Sequence, residues 1–425
     1  MQRQQKDKVN TMTQRHITIV GAGQSGLQLG IGLLKAGFAV TTISNRTAEE
    51  IHKGKVSSSQ CIFHDALEHE RALGLDFWPE APTVDGISFT IPHPEVPGEK
   101  AISWASRLDN PAKSIDQRVK FPRFMEEFVA QGGELVFEDA GVEELERYSL
   151  NSDLVIVAAG KGEIAQLFTR DAQRSAYDAP QRALALTYVT GMEPRAEHSA
   201  VSFNLIPGVG EYFAFPALTT TGPCEIMVFE GIPGGPMDCW KGLTPAEHLE
   251  TSKNILKQYL PWEASRAADV ELTDPNGFLQ GRFAPTVRHP IATLPSGKKV
   301  LGLADVVVLN DPITGQGSNN ASKCAASYLH SIAAHGEGAF DAAFMQATFE
   351  KYWNYAQHVA QWTNALLAPP PPHVLSLLGA AGQSAEIAHR FANGFNNPPD
   401  FQEWFMDPDK AAAYLASVGS AVPAT

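Results

Sequence analysis

The residues with the clearest chemical meaning stand near the start of the chain, in the stretch Gly21-Ala-Gly-Gln-Ser-Gly26. An apolar, β-branched run, Ile17–Val20, precedes the glycines, and an apolar-striped segment, Leu27–Leu34, follows them. This order predicts a strand, a tight turn and a helix. Such a unit is typical of the turn that binds a dinucleotide pyrophosphate.

Each glycine of this turn has a separate predicted task. Gly21 would allow the tight turn, Gly23 would let the backbone approach the phosphates, and Gly26 would let helix and strand pack closely. The phosphates would then accept hydrogen bonds from free N–H groups at the positive end of the helix, where Gln24 and Ser25 stand.

The next predicted strand, Ala39–Ser44, decides how the nucleotide ribose is held. An NAD or FAD site usually has an acid at the end of this strand, but this chain continues with Asn45 and Arg46. Asn45 can bond a hydroxyl without charge. Arg46 could stack on adenine, meet a phosphate, or be a solvated loop arginine, and the sequence leaves these interpretations open. We therefore predict a weaker grip on the nucleotide.

A second signature lies far along the chain. Val300–Asp305 is predicted to be a strand that ends in an acid, and the proline- and glycine-rich loop Asp311–Ser318 leads into a helix. The acid can bind the ribityl chain of a flavin. The loop can offer N–H groups to the flavin N1/O2 edge, where reduced flavin carries negative charge.

Composition restricts the partners. The 425 residues suffice for two closely joined domains, and the net charge of −14 argues against nucleic acid or an anionic membrane as a partner. No apolar run is long enough to span a membrane. The four cysteines are scattered without a Cys-x-x-Cys pair, which indicates a reducing cytoplasm and no zinc site, and we expect no metal.

Periodicity predicts the elements that position these motifs. We expect a helix over Pro122–Gln131, a buried parallel strand over Asp153–Ala158, and a helix over Gly317–Ala334. Alternating patterns between Ala183 and Gly231 predict an antiparallel sheet inserted between parts of the nucleotide domain.

Several short motifs carry a family resemblance that spans the chain from Arg15 to about Asp407. They are Trp78-Pro79, Asp116-x-Arg118, Pro180-Gln-Arg-Ala183, Asp311-Pro312, Gly315-Gln-Gly317, Trp362-Thr-Asn364 and Phe395-Asn396. With them the chain resembles the FAD-dependent aromatic monooxygenases that share a fold with p-hydroxybenzoate hydroxylase. Within these it is most similar to the two-component (group E) styrene and indole monooxygenases.

The resemblance implies an α/β fold like that of p-hydroxybenzoate hydroxylase, with a Rossmann-type FAD-binding domain, an inserted β-sheet substrate domain and a helical C-terminus. The segments expected are a polar N-terminal tail (1–14), three parts of the FAD-binding domain (15–82, 111–180 and 281–340), a substrate-domain excursion (83–110), a substrate-binding β-sheet domain (181–280) and a helical C-terminal region (341–425).

The resemblance also implies site residues. Asp305 would hold the ribityl chain, Arg118 would help to position the flavin, and Pro312 with Gly315–Gly317 would line the isoalloxazine ring. The full expected cofactor set is Gly21, Gly23, Gln24, Ser25, Gly26, Asn45, Arg46, Arg118, Ala159, Gly160, Asp305, Pro312, Gly315, Gln316, Gly317 and Ser318. The residues expected to position flavin and substrate for catalysis are Ser58, Gln60, Pro312, Thr314 and Gly315.

Two departures from the family pattern have consequences. Ala304 stands where the family has glycine, which is compatible with an extended backbone at that position. Ala159-Gly160-Lys161 stands where single-component hydroxylases carry Asp-Gly. The missing acid implies that NAD(P)H does not reduce flavin on this chain, and that reduced FAD comes from a separate NADH-dependent reductase in a transient encounter.

The segment Ser58-Ser59-Gln60 bears on the substrate. Styrene enzymes carry Asn-x-Val here, whereas Ser-x-Gln resembles the indole type, as does Ala112 in place of a serine. Polar groups at these positions could steer an indole N–H. The alternative interpretation is a polar loop that only touches the flavin.

The function implied by the resemblance is epoxidation. Reduced FAD and O₂ would form a flavin C4a-hydroperoxide that epoxidises indole at C2=C3, leading to indigo, with styrene epoxidation and sulfoxidation as side activities. The protein must exclude water from this chemistry. A cytoplasmic location is expected, and a homodimer is common among such proteins.

Four alternatives stay open. They are a styrene monooxygenase proper, a single-component NAD(P)H-dependent hydroxylase, a flavin halogenase, and a non-catalytic escort protein of the GDP-dissociation-inhibitor class. The halogenase motif Trp-x-Trp-x-Ile is absent, since only Asp76-Phe-Trp-Pro79 occurs. Asp305 and the Asp311–Gly317 loop argue against an escort protein.

Overall fold

The computed structural model describes residues 14–159 and 163–421, so most of the predicted tail and the expected site residue Gly160 lie outside the described residues. The strands are β1 (His16–Val20), β2 (Ala39–Ser44), β3 (Thr83–Pro92), β4 (Lys100–Lys113), β5 (Glu134–Phe137), β6 (Leu154–Val157), β7 (Ala183–Thr190), β8 (Ala200–Ile206), β9 (Gly210–Thr219), β10 (Gly222–Gly231), β11 (Glu271–Leu272), β12 (Phe278–Gly281), β13 (Thr286–Val287), β14 (Ile291–Thr293), β15 (Lys299–Gly302) and β16 (Val308–Leu309). The α-helices are α1 (Gln24–Lys35), α2 (Ala48–His52), α3 (His64–Ala72), α4 (Gln117–Ala130), α5 (Val142–Asn151), α6 (Pro245–Tyr259), α7 (Pro261–Arg266), α8 (Gly317–Ala334), α9 (Ala342–Leu366), α10 (Pro372–Ala381), α11 (Ala385–Gly394), α12 (Phe401–Trp404) and α13 (Pro408–Ala421).

The first sheet has the strand order β14-β15-β6-β1-β2-β5, and all its pairs are parallel except β14 with β15. All four residues of β6, Leu154–Val157, are buried, which is the pattern of a parallel strand covered on both faces. Helix α1 packs against α8 and α4 in this layer. The strand predicted over Asp153–Ala158 is confirmed as β6, and the helix predicted over Gly317–Ala334 is confirmed as α8.

Helix α4 begins at Gln117, five residues before the predicted start at Pro122. Proline inside a helix lacks the N–H that would bond the carbonyl four residues earlier. Here that carbonyl belongs to Arg118, and it lies 3.1 Å from the Nδ1 of His52. The imidazole of another helix thus replaces the missing donor, so the helix continues through the proline.

The second sheet has the order β11-β7-β10-β9-β8-β3-β4, with β12 also pairing with β7. It is antiparallel except for the parallel pair β3 and β8. Alternation along β10 sends Ile226 and Val228 to one face and Met227 and Phe229 to the other. Helices α10 to α13 contribute to the core on the first face, and α6 and α7 to the core on the second.

Helix α9 joins the two layers. Its 25 residues extend over roughly 37 Å at 1.5 Å per residue. Phe349 and Tyr352 lie in the core of the first sheet, whereas Trp362 and Leu366 lie in the core of the second. None of the helices within the described ranges combines the length and the apolar character needed to cross a bilayer.

Candidate active site

The carboxyl ends of β1, β2, β6 and β15 meet at one edge of the first sheet. Three backbone hydrogen bonds tie the following loops together: Gly21 N to Ile43 O (2.9 Å), Ala158 N to Val20 O (2.8 Å) and Leu303 N to Val157 O (2.9 Å). In open α/β sheets ligands bind at this edge, beside the strand where the chain order reverses. Here that strand is β1, so both predicted signatures converge on one place.

The first glycine turn has both a protein-facing and an open side. Gly21 has φ +123°. A Cβ on Gly26 would lie 1.9 Å from the carbonyl oxygen of Gly21, so no other residue fits there. A Cβ on Gly23 would meet nothing within 4 Å. Gly23 is also the N-cap of α1 and provides no side-chain cap, which leaves the first N–H groups of the helix available to an anion.

Gln24 and Ser25 contribute to this site through their backbones. Both side chains are buried. The Nε2 of Gln24 donates to Glu70 Oε1 (2.8 Å), which also accepts from the buried Lys120 Nζ (2.5 Å). These bonds turn the amide of Gln24 towards the protein interior.

Asn45 and Arg46 are exposed where β2 ends. No hydrogen bond or ion pair within the described residues engages the guanidinium of Arg46, and its carbonyl accepts from Ser44 Oγ (2.6 Å). This exposed side chain is compatible with contact to an adenine ring, with contact to a phosphate and with a solvated loop arginine, so all three interpretations stay open.

Ala304 corrects one expectation. Its backbone is not extended: φ is +52°, and it is the one non-glycine residue with positive φ within the described ranges. The reason is the turn Ala304–Val306 that follows β15 immediately. This region favours glycine and costs an alanine roughly 1–2 kcal/mol. The turn places Asp305 exposed at the ligand edge of the sheet.

The loop Asp311–Ser318 forms a second open turn. The side chain of Asp311 accepts from Ile313 N (3.2 Å), and Gly315 has φ +63°. A Cβ on Gly315 or on Gly317 would meet nothing within 4 Å. Helix α8 begins at Gly317 without a side-chain cap from Gln316, and Ser318 is half-buried in its first turn. The Nε2 of Gln316 instead donates to Phe395 O (2.9 Å).

Two asparagines in the first turn of α8 escaped the sequence analysis. Asn319 donates to Cys61 O (2.8 Å) and Gly315 O (3.0 Å) and accepts from Phe63 N (2.8 Å), so it joins two loops. Asn320 is 1% exposed, and neither polar atom of its amide has a partner within the described residues. The available signal was a polar pair in the first turn of an otherwise buried helix.

These residues fit a flavin dinucleotide. Two helix N-termini without side-chain caps, three glycines with open space and a buried amide without a partner surround one sheet edge. The charge pattern matches an anionic ligand, because both helices present their positive ends there. Within the described ranges, no group of three or more His, Cys, Asp or Glu side chains is placed to hold a metal ion.

Arg118 is engaged by the protein. All five N–H donors of its guanidinium are used: by Asp116 (2.9 Å), by both oxygens of Asp274 (2.9 and 3.0 Å), by Thr219 (3.0 Å) and by Gly54 O (3.4 Å). Burial lowers the pKa of the guanidinium, but the hydrogen bonds that it donates to Asp274 and Asp116 outweigh this effect, and the pKa is raised. A direct contact with flavin would require one of these bonds to break.

A narrow cavity lies between the second turn and the second sheet. Its volume is ≈ 30 Å³, room for about two waters, so an aromatic ring enters only if lining side chains move. The lining is mostly apolar and comes from the Ser59–Phe63 segment, strands β8 to β10, the Pro312–Gly315 turn and α11–Phe395. Its residues are Ser59, Cys61, Phe63, Val201, Phe213, Phe215, Val228, Glu230, Pro312, Ile313, Thr314, Gly315 and Phe395.

Pro312, Thr314 and Gly315 thus line the cavity, whereas Ser58 and Gln60 do not. The extended segment sends alternate residues to opposite sides, and Ser59 and Cys61 take the cavity side. The carbonyl of Ser58 accepts from Tyr188 Oη (2.9 Å), and Gln60 Nε2 donates to the same hydroxyl (3.3 Å). Of the five expected positioning residues, the structure brings three together at the cavity.

A buried charge cluster missed by the sequence analysis borders the cavity. Arg182 forms a two-bond ion pair with Glu211 (2.7 and 2.9 Å), and Glu230 and Asp311 share a hydrogen bond beside it. All four side chains are at most 6% exposed. Two members stood in quoted motifs, Pro180-Gln-Arg-Ala183 and Asp311-Pro312, but the two glutamates come from separate strands and gave no local signal.

A larger cleft lies elsewhere on the described part of the chain. It is polar and open, has a volume of ≈ 520 Å³, and is bordered by residues such as His64, Asp109 and His389. None of the expected site residues lines it.

Known proteins include relatives that are similar to this chain in sequence. Residues 160–266 match a family described as the styrene monooxygenase A putative substrate binding domain. The styrene monooxygenase StyA of Pseudomonas fluorescens is 29% identical over 406 residues, covering 93% of this chain and 96% of that protein. A StyA of a Pseudomonas species is 28% identical over 422 residues, covering 96% and 100%.

Solved structures share the fold at low identity. A flavoprotein/dehydrogenase from Cytophaga hutchinsonii superposes with a TM-score of 0.67 at 14% identity, covering 96% of this chain and all of that one. The flavin-dependent brominase Bmp2 gives a TM-score of 0.64 at 15% identity, covering 92% and 98%. PqsL of P. aeruginosa, solved with 2-aminobenzoylacetate, gives 0.61 at 16% identity, covering 88% and 99%.

The predicted fold class is confirmed by these likenesses. The chain has the α/β fold of flavin-dependent hydroxylases, with mixed sheets and a helical C-terminal region, and by sequence it is similar to the styrene monooxygenase StyA-like family over nearly its whole length.

Proposed function

We propose that this chain is the oxygenase component of a two-component flavoprotein monooxygenase. It takes reduced FAD from a separate NADH-dependent reductase and uses O₂ to epoxidise indole at C2=C3, with styrene epoxidation and sulfoxidation as side activities. The observation that carries the proposal is the shared turn Pro312–Gly315. This turn leads into the positive end of α8 and at the same time lines the cavity of the second sheet.

The residues for holding the cofactor follow from the sheet edge. The N–H groups at the start of α1 would hold the pyrophosphate, Asp305 the ribityl hydroxyls, and the turn before Gly317 the flavin edge that becomes negative on reduction. Reduced FAD bound there would supply the activated oxygen. Asn45 in place of an acid leaves the ribose grip uncharged, which suits a cofactor that must be exchanged with a reductase.

The task of the cavity is to place the double bond of the substrate and to exclude water. Phe63, Phe213, Phe215 and Phe395 provide aromatic walls for a planar ring. The Oγ1 of Thr314 lies 2.7 Å from that of Thr363, so this hydroxyl is already satisfied inside the protein. A dry, apolar enclosure protects reactive oxygen from reaction with water.

Ala159 supports a flavin that is reduced by a separate reductase and not on this chain. It stands where a self-sufficient hydroxylase would carry an acid, and it packs beside Gly21, whose Cβ would lie 2.7 Å from its N. The alternative of a single-component hydroxylase is therefore less well supported.

The choice between indole and styrene is the finer part of the proposal. The StyA relatives favour styrene, because their names state that substrate. Polar groups at the cavity, above all Glu230, favour a substrate with an N–H donor, since styrene would leave such groups unpaired.

The test supplies reduced FAD from a purified flavin reductase with NADH, and measures products from indole and styrene in air. We expect indigo from indole, faster than styrene oxide from styrene. Catalase is included so that free peroxide does not oxidise substrate, and the reductase alone is the control. No product from either substrate would contradict the proposed function. Styrene turned over faster than indole would leave the styrene monooxygenase alternative.

A second measurement tests the reductase requirement. NADH or NADPH added anaerobically to this chain with oxidised FAD should not bleach the flavin until a reductase is added. Rapid bleaching without reductase would establish a single-component enzyme.

A further inference from the structure

Glu230 is the one carboxylic acid among the described, mostly apolar residues that line the cavity. It lies on β10 and faces the same side of the sheet as Val228, and both residues line the cavity. The side chain is 1% exposed, and its Oε2 has no hydrogen-bond partner within the described residues. Burying a polar atom without a partner is unfavourable, so a ligand group that binds in the cavity and pairs with this oxygen removes that penalty.

The neighbours of Glu230 decide its protonation. Glu211 lies directly opposite on β9, but its two oxygens already pair with Arg182. Asp311 shares a hydrogen bond with Glu230 and also accepts from Ile313 N. Arg182, the single cation of the cluster, therefore pairs with Glu211. The carboxyl groups of Glu230 and Asp311 face each other, and neither forms an ion pair with a cation of the cluster.

Two carboxyl groups in contact inside a protein cannot both be ionised. Burial raises the pKa of Glu230 well above its usual range, and the charges of Asp311 and Glu211 raise it further against the opposing effect of Arg182. Burial also raises the pKa of Asp311. The two groups therefore share one proton in their hydrogen bond, and Oε2 of Glu230, which has no partner within the described residues, can still accept a hydrogen bond from a ligand.

We propose that the carboxyl group of Glu230 is the specificity-determining acceptor of the cavity, selecting aromatic substrates that carry a ring N–H over those that lack one. This assignment rests on the proposed function, and it replaces Ser58 and Gln60 as the groups that read the substrate. The reason is geometric: Glu230 lines the cavity, whereas Ser58 and Gln60 are not among its lining residues, and the carbonyl of Ser58 and the amide of Gln60 bond to Tyr188.

Two other polar residues line the cavity. The hydroxyl of Thr314 is bonded to Thr363 (2.7 Å), so it has less to gain from a ligand. Ser59 is half-buried, and its hydroxyl can rotate so as to donate or accept a hydrogen bond. Ser59 therefore serves as the matched control for Glu230.

The experiment compares indole with N-methylindole, which has nearly the same shape but no N–H. Binding is measured calorimetrically to the full chain at saturating oxidised FAD, and kcat/KM is measured with reduced FAD. For the wild type we expect indole to be preferred by about ten- to a hundredfold. Glu230→Gln should keep the preference, because its amide donates to Asp311 and retains a carbonyl oxygen.

Glu230→Met should abolish the preference while leaving the binding of N-methylindole similar. Ser59→Ala should leave the preference for indole unchanged. Val228→Ala should change the affinities for indole and N-methylindole by the same factor. FAD affinity and thermal unfolding verify that each variant is folded.

Several results would overturn the assignment. One is a wild type that binds N-methylindole as tightly as indole, which decides the matter even if Glu230→Met fails to fold. Another is a folded Glu230→Met variant that keeps the preference, or a preference lost in Ser59→Ala. A wild type that binds with the expected preference but oxygenates neither indole nor styrene refutes the proposed function and not the role of Glu230.

Discussion

At the carboxyl edge of the first sheet, the groups available to a ligand at the starts of α1 and α8 are backbone N–H groups within a few residues of a glycine. The cavity beside the second sheet is lined instead by side chains from distant segments, such as Ser59, Phe213, Glu230 and Phe395. A backbone site depends on local conformation, and its requirements are visible as short motifs. A side-chain site depends on which strands become neighbours, so its polar members are scattered along the sequence.

The two regions also treat charge differently. Asp305 and Arg46 are exposed at the sheet edge, where water screens them. Arg182, Glu211 and Glu230 are buried at the cavity, where each charge must be paired or neutralised. Changes to the second group should therefore alter stability, in addition to the effect of Glu230 on substrate preference, whereas changes to the first group should alter mainly ligand binding.

The largest expected effect is that of Arg182→Met. It removes the partner of the buried Glu211 and should lower the free energy of unfolding by about 3–5 kcal/mol. Urea unfolding followed by fluorescence measures this. Adding Glu211→Met should restore most of the loss, because both charges of the buried ion pair are then removed together. A double variant as unstable as the single one would contradict the account of the cluster.

Gly26→Ala and Gly23→Ala separate the protein-facing from the ligand-facing part of the glycine turn. The Cβ at position 26 meets a backbone oxygen, so this variant should lose about 1–3 kcal/mol of stability as well as FAD binding. The Cβ at position 23 meets no protein atom. The Gly23→Ala variant should have a free energy of unfolding within about 1 kcal/mol of the wild-type value, but it should bind FAD at least tenfold more weakly.

Thermal unfolding and quenching of flavin fluorescence measure the two quantities for this pair of glycine variants. Normal FAD affinity in Gly23→Ala would mean that the pyrophosphate does not approach this turn.

Asp305→Ala should weaken the binding of reduced and oxidised FAD by about ten- to a hundredfold, roughly 1–3 kcal/mol, without a comparable loss of stability. The exposed position of Asp305 at the ligand edge is the reason. Anaerobic titration with reduced FAD measures it, with Glu271→Ala, an exposed acid on β11, as the control. Unchanged affinity would remove Asp305 from the site.

Glu230→Gln should change how stability depends on pH. The folded wild type keeps on Glu230 a proton that the unfolded chain releases above its ordinary pKa, so its stability falls as pH rises from about 4.3 towards the raised pKa. The amide does not titrate and removes this loss. The melting temperature of the variant relative to wild type should therefore rise between pH 5 and pH 8, whereas parallel curves would indicate an ionised Glu230.

The smallest expected effect is that of Ala304→Gly. Glycine adopts φ of +52° without a steric penalty, and after its own entropic cost the variant should gain about 1 kcal/mol. Ala412→Gly, in an exposed part of α13 with ordinary helical φ, should lose about as much. A destabilised Ala304→Gly variant would show that the alanine methyl makes a contact that outweighs the backbone strain.

The sequence predicted the local parts of this molecule well. The order of strand, glycine turn and helix around Gly21–Gly26 and the helix after Gly317 follow from periodicity and from glycine positions, both of which are short-range. The start of α4 was placed too late because His52, a residue from another helix, completes the hydrogen bonding around Pro122. No pattern around the proline could reveal that.

The cavity side of the site was less accessible to sequence reasoning. The family resemblance predicted Ser58 and Gln60 as positioning residues, but it could not show which side of the segment faces the cavity, because that depends on neighbours such as Tyr188. Glu230 and Glu211 become partners through the register of β9 and β10, with 18 positions of hairpin between them. Whether a strand glutamate is solvated or buried beside another acid is decided by tertiary packing.

Helix α9 ties the two cores together as one continuous rod. Phe349 and Tyr352 anchor it beneath the first sheet, and Trp362 and Leu366 anchor it beneath the second. Neither sheet can lose its packing without exposing apolar surface of the same helix. The chain should therefore melt in a single calorimetric transition whose van't Hoff and calorimetric enthalpies agree. After a proteolytic cut within α9, the two cores should unfold independently, and the single transition should split into two.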